Sequence, residues 1–96
     1  MATLKNIHPG EVLREEFLLP LAISAYKLSK DLSIPQTRVS KILNGQRRIT
    51  ADTALRLAKY FGTTPQFWLN LQDRYDIEET RKGLQPTLDA INALPL

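Results

Sequence analysis

A run of polar and basic side chains within residues 24–45 is the part of this sequence best suited to binding another molecule. The run reads SAYKLSKDLSIPQTRVSKILNG. Its apolar residues recur at helical spacing in two short groups, Leu28 with Leu32 and then Val39 with Ile42. The second group leaves long polar and basic side chains on the outer face: Gln36, Thr37, Arg38 and Lys41. Such side chains can bond base edges and phosphates in the major groove of DNA.

Start and stop signals frame these groups as two short helices. Ser24 is a favoured N-cap, and Pro35 suits a first helical turn because its missing N–H has no intrahelical partner there. Gly45 suits a helix end. The pattern predicts a helix-turn-helix motif that reads DNA.

Three more helices are predicted around this motif. The first runs from His8 to about Leu19, with an apolar i, i+4 stripe inside. The next is capped by Thr50 and stopped by Gly62, and the last opens at Thr64-Pro65 with large side chains on a broad apolar face. No strand-like alternation occurs, so the predicted fold class is all-α with five helices.

The C-terminal segment, residues 83–96, has a sparse apolar pattern interrupted by two prolines. It is predicted as an extension to the DNA-binding domain of residues 1–82, with one short helix starting near Pro86. A single recognition helix covers few base pairs, so a two-fold homodimer on a palindromic operator is expected. The predicted dimer contacts are Trp68, Tyr75, Leu84, Leu88 and Ile91.

Charge is distributed unevenly along the 96 residues, whose formal net charge is +3. Between Ser24 and Tyr60 there are eight basic and two acidic residues, and the rest of the chain has five basic and eight acidic ones. The basic part includes the loop after the motif, where Gln46, Arg47 and Arg48 are placed to approach the DNA backbone. This asymmetry favours one surface for phosphates and another for a different partner.

Composition argues against several other function classes. There is no cysteine and one histidine, so we expect no metal site, no cofactor and no catalytic residues. Acidic pairs at helical spacing fit a solvated helix surface, and an enzyme is not expected. No apolar run is long enough to span a membrane, and a cytoplasmic protein is predicted.

Longer strings give the sequence a family resemblance. HPGEVLREEFLLPL and ILNGQRRITADTALRLAKYFGTTPQFWLNLQDRYD, with the helices between them, resemble HigA-type antitoxins over residues 7–82. These belong to the phage-repressor and Cro-like helix-turn-helix proteins. The resemblance implies a lambda-repressor-like five-helix domain that dimerises, represses its own operon and neutralises a HigB-type toxin that cleaves mRNA.

The resemblance also assigns roles along the motif. Gln36, Thr37 and Lys41 match base-contacting places, while Arg38 reaches a phosphate or a neighbouring base. The implied backbone contacts are Ser24, Asn44, Gln46, Arg47 and Arg48. Relatives often carry glutamine where this chain has Ala25, so Tyr26 or Lys27 is expected to supply that phosphate contact. Two serines depart from the family pattern, which has alanine in place of Ser29 and glycine in place of Ser33.

The resemblance leaves the toxin-binding surface to be chosen by charge. A toxin that grips ribosome and mRNA is expected to be basic, and the chain has two acidic patches that suit it. Glu11, Glu15 and Glu16 on the first helix are preferred over the alternative, Asp73, Asp76, Glu78 and Glu79 on the last. Two other functions stay open: a stand-alone helix-turn-helix regulator, and a module that masks a protein partner without binding DNA.

Overall fold

The computed structural model describes residues 5–95, and within that range it contains helices and loops without strands. Five helical elements follow in order: α1 (Pro9–Val12), which continues into a π-helical segment (Leu13–Leu18), α2 (Ala25–Leu32), α3 (Gln36–Leu43), α4 (Ala51–Phe61) and α5 (Pro65–Asp89). The all-α prediction is confirmed. Residues 1–4 and Leu96, which the predicted domain boundaries include, lie outside the described range.

The first helix changes from α-helical to π-helical along its length, which the sequence pattern did not predict. Its second half is π-helical, and the N–H of Leu19 donates to the carbonyl of Arg14, five residues back, at 2.9 Å. This spacing turns both Leu13 and Leu18 into the core. The apolar i, i+4 stripe predicted for this helix consists of Leu13 and Phe17. Leu13 is buried, and Phe17 is partly buried and packs against the core at its edge.

The core lies where α2, α3 and α4 meet the start of α5. Its buried apolar members include Leu28, Leu32, Val39, Ile42, Ile49, Leu57 and Trp68. Trp68 is completely buried, and its ring is tilted by 49° to that of Phe17, with the two centroids 4.9 Å apart. Its Nε1 donates to Oγ1 of Thr63 at 2.8 Å. The prediction that Trp68 anchors a dimer is wrong, because its side chain is fully buried inside the monomer and offers no surface to a second subunit.

Two serines shape the turn between α2 and α3. Ser33 has left-handed backbone angles (φ 57°, ψ 47°), a conformation that favours glycine. Ser29 is buried, and its hydroxyl donates to the carbonyl of Tyr26 at 2.7 Å. A small residue at position 29 thus fits beneath α3, and its one polar group is satisfied within α2.

The last helix is longer than predicted. It runs unbroken through Gly83 and Pro86, where the sequence indicated an interruption and a new start. Pro86 cannot donate to the carbonyl of Lys82, but this part of the helix is exposed and water can serve that carbonyl. Every residue from 77 to 95 is exposed, so the outer half of α5 has no buried apolar face within the described chain.

The start of α1 lies directly against the end of α3. A Cβ added to Gly10 would lie 1.8 Å from the carbonyl oxygen of Ile42, so no side chain fits at this crossing. Arg14 strengthens the same contact by donating to the carbonyl of Leu43 at 3.2 Å. The first helix therefore fixes where the second motif helix ends.

We expect Gly10→Ala to lower the free energy of unfolding by about 3 kcal/mol, because the new methyl group must displace backbone of α3. Gly83→Ala is the matched control, since its added Cβ meets nothing within 4 Å. It should stabilise by about 0.5–1 kcal/mol, as alanine does inside a helix. Urea denaturation of both variants checks this, and equal effects would contradict the close packing of α1 on α3.

Candidate DNA-binding surface

The outer face of α3 carries a shallow groove of polar side chains. It is lined by Gln36, Thr37, Ser40, Lys41, Asn44 and Gln46. All except partly buried Ser40 are exposed, while Val39 and Ile42 on the opposite face are buried. The helix therefore presents amide, hydroxyl and ammonium groups together, a combination able to bond base edges. Three of the four predicted base-contacting residues share this groove.

Arg38, the fourth, lies outside the groove. Successive residues of a helix are about 100° apart, and Arg38 falls on the flank that faces α4. Its Nη1 donates to Oδ1 of Asp52 at 3.2 Å, and 24% of its side chain is exposed. The structure thus places Arg38 beside the reading face and against a carboxylate.

The start of α2 forms one edge of this surface. The hydroxyl oxygen of Ser24 accepts from the N–H of Lys27 at 3.0 Å, which confirms the predicted N-cap and leaves the hydroxyl hydrogen available to a phosphate. Lys27 forms an ion pair with Asp31 at 3.0 Å. Tyr60 also donates to Asp31, at 2.5 Å, and these two hydrogen bonds hold the pKa of Asp31 below its ordinary value.

The basic loop between α3 and α4 forms the other edge. Gly45 turns the chain with φ +73°, and Gln46, Arg47 and Arg48 follow it in exposed positions. Arg48 donates to Oδ2 of Asp76 on α5 at 2.8 Å. Among residues 5–95, neither Arg47 nor Lys41 forms an ion pair. The guanidinium of Arg47 and the ammonium of Lys41 are therefore free to bind phosphate.

A buried glutamine holds this loop on the core. Gln72 is 1% exposed, and its Oε1 accepts from the N–H of Ile49 at 2.7 Å. Its Nε2 donates to Asp76 at 2.9 Å, and Asp76 in turn accepts from Arg48. These hydrogen bonds connect α5 to the basic loop and hold the loop in place.

His8 supports the loop from below. Its Nδ1 accepts from the N–H of Gly10 at 2.9 Å, and its ring lies edge-on to Tyr75 with centroids 4.8 Å apart. Burial lowers the pKa of His8, and the nearby carboxylate of Asp76 opposes that shift. The neutral ring is the form that can accept from Gly10, so His8 has the structural role of capping α1.

Sequence reasoning missed three residues that position this surface: Asp52, Gln72 and Asp76. Gln72 lies on the apolar face predicted for α5, where a polar residue is a weak signal that some backbone group needs a partner. Asp52 and Asp76 are ordinary helix acids in sequence. Their pairing with Arg38 and Arg48 depends on helix packing, and no spacing rule reports it.

The predicted protein-contact residues fall into separate groups. Leu84 and Leu88 are exposed on the outer half of α5 and Ile91 is exposed just after its end, whereas Tyr75 is half-buried against His8. On the first helix Glu15 and Glu16 are exposed, and Glu11 pairs with Lys5 at 3.1 Å. No helix within residues 5–95 combines the length and apolar character that crossing a membrane requires.

Comparison with known proteins places this arrangement in a family. The family described as Helix-turn-helix matches residues 13–68. Virulence-associated protein I of Dichelobacter nodosus is 51% identical over 82% of this chain and 73% of its own length. A solved addiction module antidote protein of a HigA family from Coxiella burnetii is 53% identical, with a TM-score of 0.89 over 95% of this chain and all of the other.

A second solved structure holds DNA. It contains the Pseudomonas aeruginosa antitoxin HigA with the higBA promoter, at 39% identity and a TM-score of 0.90, over 95% of this chain and all of the other. The fold and the matches define a DNA-binding protein of the helix-turn-helix class. Within that class, the chain belongs to the HigA antitoxin family.

Proposed function

We propose that this chain binds a palindromic operator in its own promoter as a homodimer, represses that operon, and neutralises a HigB-type toxin. The groove of α3 carries the DNA-binding part of the proposal. It unites Gln36, Thr37 and Lys41 on one exposed face, with Arg47 free at its edge. The Pseudomonas relative solved with its own promoter DNA supports the same mode here.

Two kinds of contact are expected on the operator. Gln36 and Lys41 can bond base edges, which gives discrimination among sequences. Ser24, Lys27, Asn44, Gln46, Arg47 and Arg48 lie at the two edges and suit phosphates, which give affinity without discrimination. For Arg48 and Lys27 a phosphate must compete with Asp76 and Asp31. We therefore expect Arg47 to contribute more binding free energy on DNA than Arg48, because no carboxylate competes with the phosphate for it.

The two kinds of contact can be separated by mutation. Gln36→Ala should cost about 1–3 kcal/mol on DNA from the chain's own promoter and little on a scrambled duplex. Arg47→Ala should weaken both and reduce the slope of log K against log salt by about 0.9. Fluorescence anisotropy titrations at several salt concentrations measure both quantities.

Lys82→Ala is the matched control, because Lys82 is exposed on the outer half of α5 and pairs with Glu79. It should leave affinity and slope unchanged. Equal losses from Gln36→Ala on both duplexes would contradict base reading, and an unchanged slope in Arg47→Ala would remove the loop from the DNA surface.

The outer half of α5 is the proposed dimer contact. Its exposed apolar residues Ile77, Leu84 and Leu88 line one stripe and border a shallow groove, and exposed Ile91 follows just after the helix end. These side chains are 38–64% exposed, and no residue from 77 to 95 is buried by another part of the described chain. Pairing two such stripes would bury them and set two α3 helices at a fixed spacing.

Leu84→Ser with Leu88→Ser should raise the dimer dissociation constant at least tenfold, about 1.4 kcal/mol, and weaken operator binding with it. The control moves each change one residue along the helix, to Gln85→Ser with Asp89→Ser, off the apolar stripe. Sedimentation at micromolar concentration measures both. A Leu84/Leu88 variant as dimeric as the control would place the interface elsewhere.

The toxin surface is proposed on the first helix. Glu15 and Glu16 are exposed and form no ion pair among residues 5–95, so their charges are available to a basic partner. The alternative patch on α5 is largely occupied. Asp76 binds Arg48, Glu78 binds Arg81, and Glu79 binds Lys82 and Asn6.

Reversing Glu15 and Glu16 to lysine should slow association with the product of the neighbouring toxin gene about tenfold at low salt. The same reversal at Glu78 and Glu79 is the control. Operator affinity should change little in the first variant, because Glu15 and Glu16 lie outside the groove of α3. Stopped-flow mixing gives the rates, and a larger effect from the α5 pair would move the toxin surface there.

A further inference from the structure

One carboxylate beside the reading helix is shared by two arginines. Oδ1 of Asp52, in the first turn of α4, accepts from Nε of Arg56 at 2.7 Å and from Nη1 of Arg38 at 3.2 Å. The hydrogen bond from Arg56, with the charges of both arginines, holds the pKa of Asp52 below its ordinary value. Asp52 is therefore an anion at neutral pH.

The same cluster reaches the turn of the motif. Nη1 of Arg56 donates to the carbonyl of Leu32 at 2.7 Å and to that of Ser33 at 3.3 Å. These carbonyls end α2 and have no helical partner of their own. The three charged side chains therefore connect the end of α2, the first turn of α3 and the first turn of α4. This set, Arg38, Asp52 and Arg56, is termed the clasp.

A local role does not account for the clasp. An acidic residue in a first turn is stabilised by the helix dipole wherever the helix lies. That effect explains an acid at position 52, but it does not need Arg38, which comes from another helix. The side chain of Arg38 is 24% exposed at the flank of the reading face, and its guanidinium end lies against the Asp52 carboxylate at 3.2 Å.

We propose that Asp52 is a specificity-determining positioning residue: it holds Arg38 against α4 and so keeps that cation from binding phosphates of any sequence. The inference rests on the proposed operator binding. Released from Asp52, the guanidinium of Arg38 would swing on a flexible stem beside Gln36 and Lys41. A mobile cation finds a phosphate in every register of non-operator DNA, whereas base contacts fix α3 on the operator.

The test compares Asp52→Asn with the wild-type chain on two duplexes, one from the chain's own promoter and one scrambled to the same length and composition. Freeing one cation should steepen the salt slope by about 0.9, which is about an eightfold gain on scrambled DNA at 0.1 M salt. Operator affinity should change less than twofold. The ratio of the two affinities should therefore fall about fivefold.

Three further variants make the result specific to the clasp. Asp52→Glu keeps the carboxylate and should keep the ratio near that of wild type. Glu78→Gln removes an exposed carboxylate paired with Arg81 on α5, and should leave the ratio unchanged. In an Arg38→Gln background, Asp52→Asn should alter the ratio less than twofold, because Arg56 is still held by Leu32 and Ser33.

The outcomes are distinct. An unchanged ratio in Asp52→Asn, or the same fall in the Arg38→Gln background, overturns the role of Asp52 while leaving operator binding intact. Circular dichroism and melting curves show whether any variant has unfolded; those of the Asp52 variants are expected near wild type because 56% of the Asp52 side chain is exposed. A wild-type chain that bound both duplexes equally would overturn the proposed function, and this inference with it.

Discussion

A reading helix can present side chains outward only if its inner face is held at one angle, and the rest of this structure depends on that constraint. Val39 and Ile42 bury one face of α3 almost completely. The close approach of Gly10 and the hydrogen bond from Arg14 to Leu43 fix its far end. With translation and rotation both restricted, the polar face is preorganised, and binding need not spend free energy on ordering it.

A layer of acids lies behind the cations that border this face. Lys27 is paired with Asp31, Arg38 with Asp52 and Arg48 with Asp76. Exposed pairs of this kind add little to stability, since water and salt screen them. Their larger effect is on where the cations lie and how readily phosphate can compete for them, which bears on recognition more than on folding.

The two halves of α5 follow different physical rules. The first half is part of the core, where Trp68 fills the centre and buried Gln72 satisfies the N–H of Ile49. A buried amide is tolerated because both its donor and its acceptor are used. The outer half has an apolar stripe that nothing in the described chain covers. Only a second molecule could bury this stripe.

Local rules determined much of this protein: the five helices and their caps at Ser24 and Thr64 depend on residues close in sequence. The turn at Ser33, where the resembled family has glycine, was indicated only by that resemblance, and the structure shows its left-handed backbone. The polar face of α3 followed from helical period alone. Tertiary structure decided the rest, namely the burial of Trp68, the π-helical segment, the continuous α5, and the turning of Arg38 toward Asp52. These features depend on distances between helices, which periodicity and capping do not specify.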